Sequence, residues 1–217
     1  MFFKIREPVN SITHLLGAIL SAMGLVWMLF KVLRQPSPEY LISALVFGAS
    51  LILLYSASTC YHWLMASSKT IRLLRKIDHS MIYILIAGTY TPICMLALPR
   101  PLGLYLLAGI WILTLTGIVM KLAWLGAPRF IYTSFYLFLG WLAVFFIMPI
   151  YRTLPLPGFI LLLSGGVLYT AGALIYAFKP KRLHLSVFGF HEIFHLFILG
   201  GSLSHFIMVS RYLLPAI

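Results

Sequence analysis

Seven apolar stretches, each about 20 residues long, most constrain what this chain can fold into. They lie near residues 9–30, 40–63, 78–98, 102–121, 130–150, 157–178 and 186–210. A helix of about 20 apolar residues spans the roughly 30 Å hydrocarbon core of a bilayer. Proline-containing segments such as Gln35-Pro36-Ser37-Pro38 separate the stretches. The sequence therefore predicts an all-α fold: a bundle of seven transmembrane helices that forms one membrane domain over residues 1–217.

Composition agrees with a membrane protein. Of the 217 residues, 62% are hydrophobic and only 9% are charged, which excludes a soluble domain. Alternating β patterning is absent, so a barrel is not expected. The two cysteines, Cys60 and Cys94, fall inside apolar stretches, and we predict that both are buried. The first stretch is too long for the apolar core of a cleavable signal peptide, so we interpret it as a retained span.

The net charge of +12 raises the question of nucleic acid binding. The sixteen lysines and arginines are scattered over short loops, Lys121 and Arg129 in the loop between the fourth and fifth stretches among them, and form no basic stripe, so we expect no nucleic acid partner. Cations beside membrane spans are typical of topology signals and of contacts with anionic lipid headgroups. Membrane lipids are therefore the expected partners, and the sequence does not indicate an oligomeric state.

The distribution of these cations predicts the orientation. Eleven lie on the side of the N-terminus: Lys4, Arg6, Lys69, Arg72, Arg75, Lys76, Lys121, Arg129, Lys179, Lys181 and Arg182. Five lie on the opposite side: Lys31, Arg34, Arg100, Arg152 and Arg211. Because positive charge is retained in the cytoplasm, the N-terminus is predicted to be cytoplasmic and the C-terminus outside.

Four polar residues converge at the predicted cytoplasmic end. His191 and His195 share one face at the start of the seventh stretch, because they are four residues apart. His62 ends the second stretch, and Asp78, the only aspartate, begins the third. Ser58 lies one helical turn before His62. Three imidazoles with a water would form a tetrahedral zinc site with an open position. The alternative is a set of buried histidines that each bond a backbone carbonyl.

Asp78 and Ser58 have more than one interpretation. The Asp78 carboxylate could orient or deprotonate a zinc-bound water, or ligate the metal directly. It could instead form a salt bridge to Lys76 or Arg75 at the helix start. Ser58 could hydrogen-bond the water, Asp78 or a substrate.

The segment His191-Glu192-Ile193-Phe194-His195 also matches H-E-x-x-H, the motif in which glutamate is the general base of zinc proteases. Glu192 is about 100° round the helix from His191, and we interpret it as facing the headgroups. His14 and Asn10, with Glu7 before them, form a polar face at the cytoplasmic end of the first stretch, which supports the site or makes a helix-packing hydrogen bond. We expect His79 to be interfacial, and His205, with Ser202 and Ser204, to make interhelical hydrogen bonds.

Nearly the whole chain resembles the hemolysin III family, the bacterial members of the progestin and adipoQ receptor group. The motifs that carry the resemblance are Glu7-Pro8-Val9-Asn10-Ser11-Ile12-Thr13-His14, Ser58-Thr59-Cys60-Tyr61-His62, Asp78-His79, Gly88-Thr89-Tyr90-Thr91-Pro92, and His191 to His195 continuing into Gly200-Gly201-Ser202-Leu203-Ser204-His205. The resemblance implies seven helices in a bacterial inner membrane, a cytoplasmic N-terminus, and zinc held by His62, His191 and His195 with Asp78 and Ser58 alongside. Alkaline ceramidases in the wider superfamily imply hydrolysis of lipid amides.

Three functions are consistent with these features. The first is a zinc hydrolase that cleaves lipid amides or esters and takes part in membrane lipid homeostasis. The second is a non-enzymatic membrane sensor or homeostasis factor whose zinc is structural. The third is a channel-forming cytolysin, which the family name suggests; no charged ring that would line a pore is visible in the sequence.

The distribution of cations gives a direct test of orientation. A reporter fused to the C-terminus should be active only outside the cytoplasm, because seven spans place the two termini on opposite sides of the membrane. A matched fusion at the N-terminus should report the cytoplasm. A cytoplasmic signal from the C-terminal fusion would contradict either the number of spans or their orientation.

Overall fold

Proline and hydroxyl caps fix where several helices of the chain begin. In a computed structural model that describes residues 4–124, 126–180 and 188–216, Pro8, Pro38 and Pro157 lie in the first turns of their helices. Proline is tolerated there because its missing N–H would have no helical partner. The hydroxyl of Ser37 accepts a hydrogen bond from the backbone N–H of Glu39 at 3.2 Å and caps the second helix.

The described residues form an all-helical structure. The α-helices are α1 (Pro8–Arg34), α2 (Pro38–Trp63), α3 (Ser68–Leu96), α4 (Leu102–Ala123), α5 (Arg129–Trp141), α6 (Ile147–Thr153), α7 (Leu156–Phe178) and α8 (Phe190–Met208). A 3₁₀ segment, Leu142–Phe146, joins α5 to α6, and a π-helical turn, Val209–Leu213, follows α8. Seven continuous helical units are long and apolar enough to cross a bilayer, with α5 to α6 counted as one. The predicted fold class is confirmed.

Two helices extend past their apolar stretches into polar sequence. α3 begins at Ser68, ten residues before the predicted start of the third span, because the Ser67 hydroxyl caps the N–H of Thr70 at 3.3 Å. Lys121 lies within α4 and is buried, whereas we predicted a loop position. Hydrophobic residues mark where a helix enters the membrane, whereas capping residues mark where the helix itself begins. The predicted start of the seventh span, near residue 186, lies outside the described residues, and α8 begins at Phe190.

The fifth span is interrupted near its middle by the side chain of Tyr90 on α3. The Tyr90 hydroxyl donates to the carbonyl of Gly140 at 2.8 Å and accepts from the N–H of Ala143 at 2.7 Å. These bonds satisfy backbone groups at the change from α-helix to 3₁₀-helix, as the membrane interior requires. The apolar sequence of this span shows no such break.

The helices pack as a ring in which α1 contacts both α2 and α8. From α2 the contacts continue through α3, α5 and α7 to α8, and α4 packs on α3. The core includes the fully buried side chains of Phe47, Tyr55 and Tyr83. Large apolar side chains are exposed on the outer surface, as expected where a helix faces lipid. Cys60 is also exposed, so its predicted burial was wrong, whereas Cys94 is buried as predicted. An apolar stretch alone does not reveal which helix face meets lipid.

Gly88 allows α3 to approach α2 closely. A Cβ added at Gly88 would lie 2.5 Å from the Cβ of Ser50 on α2, which is closer than two non-bonded carbon atoms approach in proteins. Any larger residue at position 88 must push the two helices apart. Small residues at such crossings are typical of membrane helix packing.

Replacement of Gly88 by alanine should destabilise the bundle by about 1–3 kcal/mol, the usual cost of overpacking. Thermal unfolding of the detergent-solubilised protein measures the change. Gly109→Ala on α4 is the matched control, because nothing lies within 4 Å of the added Cβ. The double variant Ser50→Gly/Gly88→Ala should recover part of the loss. Equal melting temperatures for Gly88→Ala and Gly109→Ala would contradict this account of the α2–α3 contact.

Candidate metal centre

Three histidines from two helices meet at one end of the bundle. His62 is in the last turn of α2, and His191 and His195 are in the first turns of α8. One ring nitrogen of each lies within 4.8 Å of the others. The Nε2 atoms of His62 and His191 are 3.4 Å apart. His62 and His195 are almost completely buried, and His191 is half-buried. We refer to these three residues as the histidine cluster.

The spacing of the histidine cluster fits a tetrahedral metal ion. Two nitrogens that each lie about 2.0–2.1 Å from such an ion are about 3.3 Å apart, close to the separation between His62 and His191. Neutral imidazole nitrogens are ligands for zinc and other transition metals rather than for magnesium or calcium. The donors and their geometry therefore suit one ion of this kind.

Glu7, just before α1, holds the ring of His62. The Nδ1 atom of His62 donates to the Glu7 carboxylate at 2.5 Å, and the Glu7 N–H donates to the His62 carbonyl at 3.0 Å. With its proton on Nδ1, the ring keeps a lone pair on Nε2, which faces His191. A carboxylate behind a metal-binding histidine commonly sets the tautomer in this way. In the sequence we had treated Glu7 only as part of a polar face.

The hydrogen bond from His62, followed by attraction to that ring and to Arg6, lowers the pKa of Glu7 to about 2, from its usual 4.5. A lowered carboxyl pKa means that the folded state prefers the charged form. The contact therefore stabilises the folded chain fully above pH 4.5 and loses this effect as the pH falls through about 2.

Asn10 connects α1 to α8 through Glu192. The Asn10 side-chain amide donates to Glu192 at 2.8 Å and more weakly to Glu7 at 3.4 Å. The other oxygen of Glu192 accepts from the N–H of Gly189 at 2.8 Å, and so caps α8. Glu192 is half-buried and does not face the headgroups as we had expected. Both oxygens of its carboxylate accept hydrogen bonds, one from Asn10 on α1 and one from Gly189 at the start of α8. The general base of a zinc protease would not be held in this way.

His14 stacks on the histidine cluster. Its ring lies parallel to that of His195, with centroids 3.6 Å apart and an angle of 11° between the planes. The Tyr55 ring packs edge to face against His14, with ring centroids 5.0 Å apart. Within the described part of the chain neither His14 nitrogen has a hydrogen-bond partner. This contact favours support of the site over the alternative of a helix-packing hydrogen bond.

A cavity of about 200 Å³ opens onto the site from the interior of the bundle. Ser58, Asp78, His191 and His195 all contribute to its wall. The Asp78 carboxylate lies near Ser58 but is not part of the histidine cluster. Among the described residues the His79 ring lies 4.0 Å from the Asp78 carboxylate, and neither Lys76 nor Arg75 lies within 4.0 Å of it, so the alternative salt bridge to Lys76 or Arg75 is not formed. Lys76 instead donates to the carbonyl of Leu122.

The other histidines divide between the cavity and the helix contacts. His79 lines the cavity, and its side chain is 13% exposed. His205 bonds the carbonyl of Leu162 on α7 at 3.2 Å, which is the interhelical contact we expected. Ser202 accepts from Tyr55 at 2.6 Å, also between helices, whereas Ser204 bonds the carbonyl of Gly200 within α8.

Fold and site together define a class: a seven-helix integral membrane protein with a buried histidine cluster that opens onto an internal cavity. Comparison with known proteins narrows the class. Residues 2–206 match the family described as Haemolysin-III related. The chain therefore belongs to the haemolysin III family, as its motifs predicted.

Two relatives cover almost the full chain. Hemolysin-3 of Bacillus cereus is 40% identical over 215 residues, which is 98% of this chain and 94% of the relative. A Hemolysin-3 homolog of Bacillus subtilis (strain 168) is 40% identical over 211 residues, 97% of this chain and 96% of the relative. The chain is a multi-pass bacterial membrane protein, and the inner membrane is its expected location.

Proposed function

We propose that the histidine cluster binds one zinc ion and that the protein hydrolyses lipid amides or esters in the membrane. The observation that carries this proposal is the shared cavity: two of the three candidate ligands, His191 and His195, face the same space as the Asp78 carboxylate. A metal that only braced the fold would need no such space. An open coordination position is typical of catalytic zinc.

Each side chain has a definite task in this proposal. Bound zinc supplies Lewis acidity, which polarises a carbonyl and lowers the pKa of a water to about 7. His62, His191 and His195 hold the ion, and Glu7 keeps Nε2 of His62 available to it. Asp78 accepts the proton of the attacking water and later returns it to the leaving group. Ser58 orients the water or the substrate by a hydrogen bond.

Two other functions have weaker support. A sensor with a structural zinc would use the same ligands, but a fourth protein ligand is not found among the described residues. Hemolysin-3 of Bacillus cereus is named for cytolysis. A pore would need polar side chains along its length, whereas the cavity wall of this bundle is mainly apolar away from the histidine end.

Zinc content tests the metal assignment. The purified wild-type protein should contain one zinc per chain by elemental analysis, and His62→Ala or the double variant His191→Ala/His195→Ala should contain none. Glu7→Gln should bind zinc about 10–100-fold more weakly, since it leaves the ligand but removes the group that orients it. Glu39→Gln is the control, because Glu39 pairs with Arg100 instead of a histidine.

Chelator competition, which measures zinc affinity in each purified variant, separates the two effects. Full zinc occupancy in both histidine variants would refute the metal assignment. An unchanged affinity in Glu7→Gln would refute only the role of that carboxylate.

The choice of general base separates lipid hydrolysis from a protease-like mechanism. Asp78→Asn should reduce turnover by about 10²–10⁴-fold, because an amide cannot accept the water proton. Glu192→Gln should cost far less, since Glu192 bonds Asn10 and Gly189. The measurement is hydrolysis of ceramides, phospholipids and membrane peptides by both variants at equal zinc content.

The two mechanisms predict opposite rankings of these variants. A large loss in Glu192→Gln with Asp78→Asn near wild type would support peptide hydrolysis and contradict our assignment. If the zinc-loaded wild type hydrolysed none of these substrates, a sensor would be better supported than a hydrolase as the function of this protein.

A further inference from the structure

Three cations from three helices line the cavity beside the histidine cluster. Arg75 is in the first turns of α3, Lys121 is in the last turn of α4, and Arg129 is the first residue of α5. Lys121 lies within electrostatic range of Arg75, Arg129 and Asp78. The proposed hydrolytic mechanism uses none of the three. We call them the cationic cluster.

Among the described residues, two buried donors of this region have no hydrogen-bond partner: the Tyr132 hydroxyl and Nη1 of Arg129. Lys121 is 1% exposed, and its ammonium lies 3.6 Å from the centre of the Tyr132 ring. Tyr132 is 5% exposed, and within the described residues its hydroxyl has no hydrogen-bond partner. Nη1 of Arg129 also has no hydrogen-bond partner within the described residues. The Arg129 guanidinium lies 4.9 Å from the centre of the Tyr176 ring. Since buried polar groups are normally paired, donors left free at a cavity wall point to a ligand that accepts hydrogen bonds.

Charge counting narrows the chemistry of that ligand. Against the three cations the cavity presents one carboxylate, Asp78, and among the described residues none of the three lies within 4.0 Å of it. Glu7 and Glu192 do not line the cavity. Counted over these side chains alone, without a bound metal, the surplus is two positive charges. A phosphate monoester carries about −1.5 to −2 at neutral pH, which matches this surplus, whereas a carboxylate or a phosphate diester carries only about −1.

The rest of the cavity wall suits an acyl chain. The apolar side chains that line it beyond the cationic cluster include, from α3, α5 and α6, Ile82, Leu85, Ile86, Leu137 and Ile147. A ligand with a charged head and an apolar tail would place the head on the cations and the tail between these helices.

We propose that the cationic cluster binds the phosphate monoester headgroup of a lipid whose acyl chain occupies the cavity. Arginine and lysine are the usual partners of phosphate oxygens, and the Tyr132 hydroxyl adds a further donor. This proposal rests on the proposed function and extends it, because the lipid would occupy the cavity onto which the histidine cluster opens. The headgroup contacts do not require zinc.

Binding of dioleoyl phosphatidic acid to the purified full-length protein, followed by native mass spectrometry, tests this inference. The wild type should bind one molecule at least tenfold more tightly than oleic acid or dioleoyl phosphatidylcholine. Arg129→Gln and Lys121→Met should each weaken binding about tenfold or more, as expected for the loss of a charged hydrogen bond. Arg72→Gln is the matched control: it removes an exposed cation of α3 that does not line the cavity.

Circular dichroism and size-exclusion profile establish that each variant is folded, and Lys121→Arg, which keeps the charge, should bind like the wild type. Equal affinity of the wild type and a folded Arg129→Gln variant would overturn the inference. Oleic acid bound as tightly as phosphatidic acid, or an equal loss in Arg72→Gln, would also overturn it. If inorganic phosphate bound with the same affinity as phosphatidic acid, the acyl chain would contribute nothing to binding. That result would contradict the inference.

The zinc-free variant His62→Ala separates this inference from the proposed function. Phosphatidic acid bound by both the zinc-free variant and the wild type would support the headgroup site even if no lipid is hydrolysed. Loss of the lipid in all zinc-free samples would contradict the claim that the headgroup contacts are independent of the metal.

Discussion

The start of α1 holds the histidine end of the bundle together. The histidine cluster draws its members from α2 and α8, and α1 packs against both of these helices. Glu7 bonds the ring and the backbone of His62 on α2, and Asn10 bonds Glu192 on α8. Unpaired polar groups are costly in a bilayer, and these bonds pair the side-chain amide N–H of Asn10 and the ring of His62, which are both almost fully buried. The relative positions of the three imidazoles therefore depend on a few residues that carry no imidazole themselves.

Helix period and span order were enough to predict the histidine cluster. Positions 191 and 195 share a helix face whatever their neighbours are, because the spacing equals about one turn. Seven spans of alternating direction bring the end of the second and the start of the seventh to the same side. The meeting of His62 with His191 and His195 follows from these two rules together with compact packing. The metal they would hold remains a proposal.

The partners of these histidines could not be predicted in the same way. Glu7 lies 55 positions before His62 and outside any span, so no periodicity links the two. The position of Lys121 was missed because a cation at the edge of an apolar stretch is normally a loop residue, and its burial depends on the ring of Tyr132 from the next helix. The break in the fifth span depends on one hydroxyl of another helix, that of Tyr90. Each depends on one side chain that reaches a different helix or segment, which local patterns do not encode.

The position of the site near one end of the bundle limits its chemistry. A charged side chain at the bilayer centre costs about 2.5–3.5 kcal/mol or more, and the cost falls toward the interface. Arg75, Lys121 and Arg129 lie within the first or last turns of their helices, where long side chains can reach toward headgroup depth. The histidine cluster occupies the same end, and the apolar wall of the cavity extends from it toward the bundle interior. A lipid lying in this cavity would therefore present the bond next to its headgroup to the histidines, and its acyl chain would remain among apolar side chains.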